Sequence, residues 1–201
     1  MKTLSTVLIA AAAAAGCQDQ EMPKPGKEHE LLRQLAGDWD ATAKFWMDPA
    51  KDPMESKGVE TAKLAHGGFW FTFEYKGDVM GGPFTGQGVP GYDPLKKKYV
   101  GTWIDSMVPM LFVSEGEADK DGKVWTMITE VVDHETRKPV KEKWVSEIKD
   151  KDTKVMTFWR TGEKDVKTGE ITYKRRKYVE SRILDLGEHG RNAGLRPCGR
   201  A

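Results

Sequence analysis

Few residues in the chain are spaced for nucleophilic, acid–base or metal chemistry. The four histidines, at 29, 66, 134 and 189, are scattered, and neither His-x-His nor Cys-x-x-Cys occurs. His134-Glu135 lacks the second histidine of a zinc-protease helix, so neither a metal site nor a cofactor is expected. His66 precedes Gly67-Gly68 and reads as a solvated or capping turn residue. Ser106 and Ser114 lie outside any Gly-x-Ser-x-Gly elbow. The glycine-rich run Gly81-Gly82-Pro83-Phe84-Thr85-Gly86-Gln87-Gly88 leads to a turn rather than into a helix. It reads as a strand free to bend or bulge, not as a phosphate loop. Asp105, Glu130 and Glu142 are the conceivable acids or bases, and an enzyme would keep them in a cleft with shifted pKa values.

Charge narrows the classes further. The 201 residues carry 32 Lys and Arg against 31 Asp and Glu. The basic clusters are Lys96-Lys97-Lys98, read as a turn, and Lys174-Arg175-Arg176-Lys177, read as a strand flank. A nucleic-acid partner needs a concentrated basic surface, so none is expected. With 38% hydrophobic and 31% charged residues, the composition is that of one globular, soluble domain.

The amino terminus stands apart. Lys2 supplies a positive charge, an alanine-rich apolar run follows from Leu4 to Ala15, and Ala14-Ala15-Gly16 places small residues before Cys17. The run is shorter than the roughly 20 residues that cross a bilayer, so it reads as a secretory signal. Small residues directly before a cysteine resemble the lipobox of bacterial lipoproteins, although Ala14 stands where that motif most often has leucine. The resemblance implies cleavage after 16, acylation of Cys17, and a protein anchored in the bacterial cell envelope, at the periplasmic face or the cell surface. Two or three acyl chains anchor stably where one holds marginally. An ordinary signal peptide cut nearby is the alternative. With Cys17 acylated, Cys198 has no partner and the fold rests on its apolar core.

The elements that must position any site follow. The expected division is 1–16 signal peptide, 17–27 lipidated terminus and linker, 28–180 barrel, and 181–201 flexible tail. Leu31, Leu32 and Leu35 at helical spacing, stopped by Gly37, predict one short helix over 28–35. From Trp39 the period becomes two, and ten strands are expected at 39–47, 58–64, 69–76, 84–89, 99–105, 110–117, 124–132, 140–148, 153–160 and 171–178. Residues 91–94, 119–122 and 149–152 supply turn formers between apolar runs. Without crossover helices the sheet must be antiparallel, and closure would remove its edges. The expected fold is all-β: a single antiparallel barrel of about eight to ten strands with a short amino-terminal helix.

Gly37-Asp38-Trp39 after a short helix, with an arginine late in the last strand, resembles the calycin superfamily that contains the lipocalins. There the tryptophan packs at the barrel base; the matching pair here is Trp39 and Arg175, with Arg176 as rival. The ordered series Pro25-Gly26-Lys27-Glu28-His29, Leu35-x-Gly37-x-Trp39, Gly68-Phe69, Pro83-Phe84-x-Gly86-x-Gly88, Gly91-Tyr92-Asp93 and Gly101-x-Trp103-x-Asp105-Ser106 resembles a bacterial family known as domain of unknown function 1579. The resemblance spans roughly residues 23–180. It implies a lipocalin-like barrel and no established activity.

Alternation places Trp39, Ala41, Ala43 and Phe45 inside, and groups Phe69, Phe71, Phe73 and Tyr75 on one face. It also draws charge into apolar rows: Trp103 with Asp105, Ile128 with Glu130, Trp144 with Glu142, Phe158 with Arg160, and Tyr173 with Arg175. Those rows either line a cavity, or face outward in part, or form ion pairs that close the barrel ends. Two readings result. One is a barrel binding a small, mostly apolar ligand, lined by Phe45, Phe71, Phe73, Tyr75, Trp103, Asp105, Glu130, Trp144 and Arg160. The other is an envelope protein with a packed core that meets a protein partner through outward residues such as Trp46 and Trp70.

Overall fold

The computed structural model describes residues 23–133 and 136–177. The signal segment 1–16, Cys17, His134, His189, Cys198 and the tail 181–201 lie outside the described residues. The helix α1 (Lys27–Arg33) is followed by β1 (Gly37–Phe45), β2 (Met54–Ala65), a 3-10 turn (His66–Gly68), β3 (Trp70–Val79), β4 (Gly82–Gly88) and β5 (Gly91–Asp93). Then come β6 (Lys98–Asp105), β7 (Phe112–Ala118), β8 (Val124–Val132), β9 (Pro139–Asp150), β10 (Thr153–Arg160) and β11 (Val166–Arg175).

Each strand pairs antiparallel with the next around the order β2-β1-β11-β10-β9-β8-β7-β6-β4-β3, and the ring closes where β3 meets β2. Strands β4 and β5 share the place between β3 and β6, so the eleven strands of the described residues occupy ten positions. Each of the ten expected strands is present. The eleventh, β5, falls where a turn was expected at 91–94. Pro90 separates it from β4: with no N–H it cannot donate to a ladder, though its carbonyl accepts from the Phe71 amide at 2.9 Å. The reversal comes just after β5, where the Asp93 carboxylate accepts the amides of Leu95 and Lys96.

Period two sets what enters the barrel. Along β1, Trp39, Ala41 and Ala43 are buried while Asp40 and Thr42 are exposed. The small alanines leave room for larger side chains in the same cluster, Tyr173 of the adjacent β11 and Tyr75 of β3, two strands away.

Helix α1 plugs one end. Gly26 begins it, donating its amide to His29 Nδ1 at 3.0 Å, and the His29 ring stands edge-on to Phe69 and Tyr92. Leu32, 2% exposed, packs with Phe71, Tyr99 and Trp125, while the Tyr99 hydroxyl donates to the Glu28 carbonyl at 3.0 Å.

The carboxyl end of the helix is tied by the Gly-x-Trp motif and its arginine. Trp39 lies opposite Arg175 across β1 and β11, with the guanidinium carbon 4.0 Å from the indole centre. Arg175 donates to the carbonyls of Ala36 at 2.7 Å and Gln34 at 3.1 Å, and Trp39 Nε1 donates to Leu35 at 3.0 Å. Gly37 has φ +132°, and a Cβ there would lie 2.3 Å from Arg175 Nη1. The glycine of the motif is therefore the gap through which the arginine reaches the helix. The rival, Arg176, lies outside and pairs with Asp40 at 2.6 Å.

Candidate functional site

The end opposite α1 is open, and a cavity of about 1350 Å³ runs from it down to the plug. That exceeds the roughly 300–1,000 Å³ of ordinary small-molecule pockets. Phe45, Phe71, Phe73, Tyr75, Trp103, Trp144 and Arg160 line it, as the alternation suggested. Arg160 sits at the rim, largely exposed, 3.7 Å from Asp133.

Two residues expected in the lining are elsewhere. Glu130 is exposed on the outside, because on β8 the inward row is Trp125, Met127 and Thr129, while Ile128 is itself 39% exposed. Asp105 lies just beyond the cavity and holds one of its walls. It accepts Trp103 Nε1 at 2.9 Å with one oxygen, and the amides of Met107 and Val108 with the other. Glu142, within the cavity, does the same for Trp144, accepting its Nε1 at 3.0 Å. The acids beside these tryptophans thus fix indole orientation. Trp46, expected outside, lines the cavity near its mouth, with Lys167 Nζ 5.3 Å from its ring; Trp70 is exposed as expected.

The floor holds a buried ion pair absent from the expected lining. Lys154 Nζ donates to Glu60 Oε1 at 2.5 Å, with side chains only 10% and 5% exposed. The ammonium also lies 4.6 Å from the ring centres of both Trp39 and Tyr173. Burial lowers the pKa of Lys154, and the Glu60 carboxylate works against that shift. Burial, together with the negative charge of Glu60, pushes the Tyr173 phenol well above its ordinary value, and Tyr75 shifts the same way. Register explains the cluster: Glu60 faces Trp39 on one side and Tyr75 on the other, and Lys154 faces Tyr173. The period-two rule would have found both. Glu60 shares a row with Ala62 and Leu64, and Lys154 shares one with Met156 and Phe158.

The mouth is apolar and exposed. Met47, Met80 and Leu111 are 77%, 63% and 62% exposed, and all three belong to connections at this end. Among the described residues no group of three or more His, Cys, Asp or Glu is placed to hold a metal, and no helix is long and apolar enough to cross a membrane.

Residues 24–175 match the model of a family described as protein of unknown function (DUF1579). No curated protein matches the chain. Among solved structures, the S-type phycobiliprotein lyase CPES from Guillardia theta aligns with a TM-score of 0.50 at 13% identity, over 76% of this chain and 99% of its own. Rv2717c from M. tuberculosis aligns with a TM-score of 0.55 at 14% identity, over the same shares of the two chains. Both are calycin-like barrels, and at such identities the likeness is one of fold.

Proposed function

Taking as premise that the chain belongs to the DUF1579 family of proteins of unknown function, we propose that it binds one small, mostly apolar molecule inside its barrel. The observation that carries this reading is a large cavity open at one end, walled by aromatic side chains and floored by a few polar groups. Apolar walls supply affinity through burial, at about 25 cal/mol per Å² removed from water, and sparse polar groups set orientation. The phycobiliprotein lyase shares the barrel, which supports a binding role without naming a ligand.

Native mass spectrometry of protein purified from its host, beside a denatured control, tests the reading. Mass that is lost on denaturation supports it. A bare mass from folded protein, with no uptake of added apolar compounds, would oppose it.

The second part of the proposal is location: export, cleavage before Cys17 and acylation there, giving a lipid-tethered envelope protein. Metabolic labelling with a fatty-acid analogue should mark the wild type and not Cys17→Ser. Equal labelling would exclude that anchor. A protein-contact role keeps one observation in its favour, the exposed apolar rim with Met47, Met80 and Leu111. A cross-linker placed on that rim should capture a defined partner only if this role is real.

A further inference from the structure

We infer that the occupant of the cavity is an uncharged amphiphile, held with a neutral hydrogen-bonding head, such as a hydroxyl or an amide, at the Lys154–Glu60 floor and its apolar tail toward the mouth. This rests on the binding reading above and adds the class of ligand and its direction of entry.

Charge in the cavity lining is divided by depth. Glu55, Lys57, Asp78 and Arg160, toward the open end, are exposed, and the half-buried Glu142 holds the Trp144 indole. Of the charged side chains in the lining, Glu60 and Lys154 alone are buried, and they are bonded to each other. Their joint charge is zero whichever of the two holds the shared proton. The rings of Trp39 and Tyr173 stand against the ammonium, each centred 4.6 Å from it. Arg175, a second cation that Lys154 feels, lies against Trp39 outside the lining. It already donates to the Ala36 and Gln34 carbonyls and stands 3.9 Å from Asp152.

The head group follows from this closed account of charge. A carboxylate brought to the floor meets Glu60 as well as Lys154, and can take the ammonium only by leaving Glu60 buried without its partner. An ammonium head meets the converse difficulty at Lys154. An apolar end strips water from the pair and from the Tyr75 and Tyr173 phenols beside it, and returns no hydrogen bond. A neutral head that both donates and accepts avoids all three losses. Its tail then runs along the aromatic wall toward the mouth, where only burial of area is asked of it.

Dodecanol, dodecanoate and dodecylamine share one tail and differ in head charge at about pH 7. Each is titrated separately into the purified full chain and read by native mass spectrometry. The expected result is dodecanol bound one to one, at least about tenfold more tightly than either charged analogue. Glu60→Gln should shift the ranking toward dodecanoate by at least about tenfold, and Lys154→Met should shift it as far toward dodecylamine. A packing role for the pair alone would move neither ranking. Equal binding of the three by the wild type, preference for a charged head, or a folded variant that keeps the wild-type ranking overturns the inference and leaves the binding reading standing. If neither variant folds, the wild-type ranking decides on the same terms. Uptake of none of the three overturns both.

Discussion

Lys154 and Glu60 are buried charges, and taking two ions out of water costs more than their attraction commonly returns. Their retention on a cavity floor fits a role in meeting the polar end of a ligand. The stability consequence is specific. Lys154→Met leaves Glu60 buried and unpaired, and should lower unfolding free energy by about 3–5 kcal/mol, measured by urea denaturation. The double variant Glu60→Gln with Lys154→Met should recover most of that loss. A single variant within about 1 kcal/mol of wild type would mean the pair is solvated in solution. At this scale the sequence was half legible. Alternation located the aromatic lining, but it also took Glu130 inward through Ile128, because β8 carries apolar residues on both faces and Trp125 decides which one is buried. It linked Asp105 and Glu142 with the correct tryptophans, while their task of holding the indoles became visible only through hydrogen-bond geometry.

Among the elements, α1 is short for a helix and is held by what it plugs. Leu32 carries that contact, packing beside Tyr99 and Trp125 at the base. Leu32→Ala should cost about 2–5 kcal/mol. It should also speed amide exchange in α1 and at the base of β6 well before the mouth is affected. Uniform acceleration over the whole barrel would instead make the plug part of a single cooperative unit. Strand order was readable because turn formers fall regularly between period-two runs. The exception was β5, three residues between Pro90 and an aspartate turn, too short for alternation to register. Its hairpin with β6 is local, while its other pairing, Gly91 with Trp70 of β3, joins residues distant in sequence.

For the molecule as a whole, several buried phenols tie stability to alkaline pH. Burial pushes Tyr99 from its ordinary 10.0 up to about 12, and burial raises Tyr173 and Tyr75 as well. A raised phenol binds its proton more tightly when folded than when unfolded. Its contribution is therefore complete below about pH 10 and is lost as pH rises from there through about 12. Denaturation midpoints should hold steady up to about pH 10 and then fall steeply, with tyrosinate absorbance appearing together with unfolding. Tyrosinate forming ahead of unfolding would mean these rings are open to water.

The claim that matters most is that a ligand sits inside the barrel and not on its apolar rim. Ser146 lines the cavity wall between Met156 of β10 and Trp125 of β8, far enough in that a charge placed there would face any occupant of the interior and leave the mouth intact. The direct measurement is binding of a fluorescent apolar probe to wild type and to Ser146→Asp, with circular dichroism confirming that both are folded. Loss of binding by at least about tenfold is the expected result, because an apolar occupant would strip water from the carboxylate. Undiminished binding by a folded Ser146→Asp barrel would place the ligand on the rim and contradict the account.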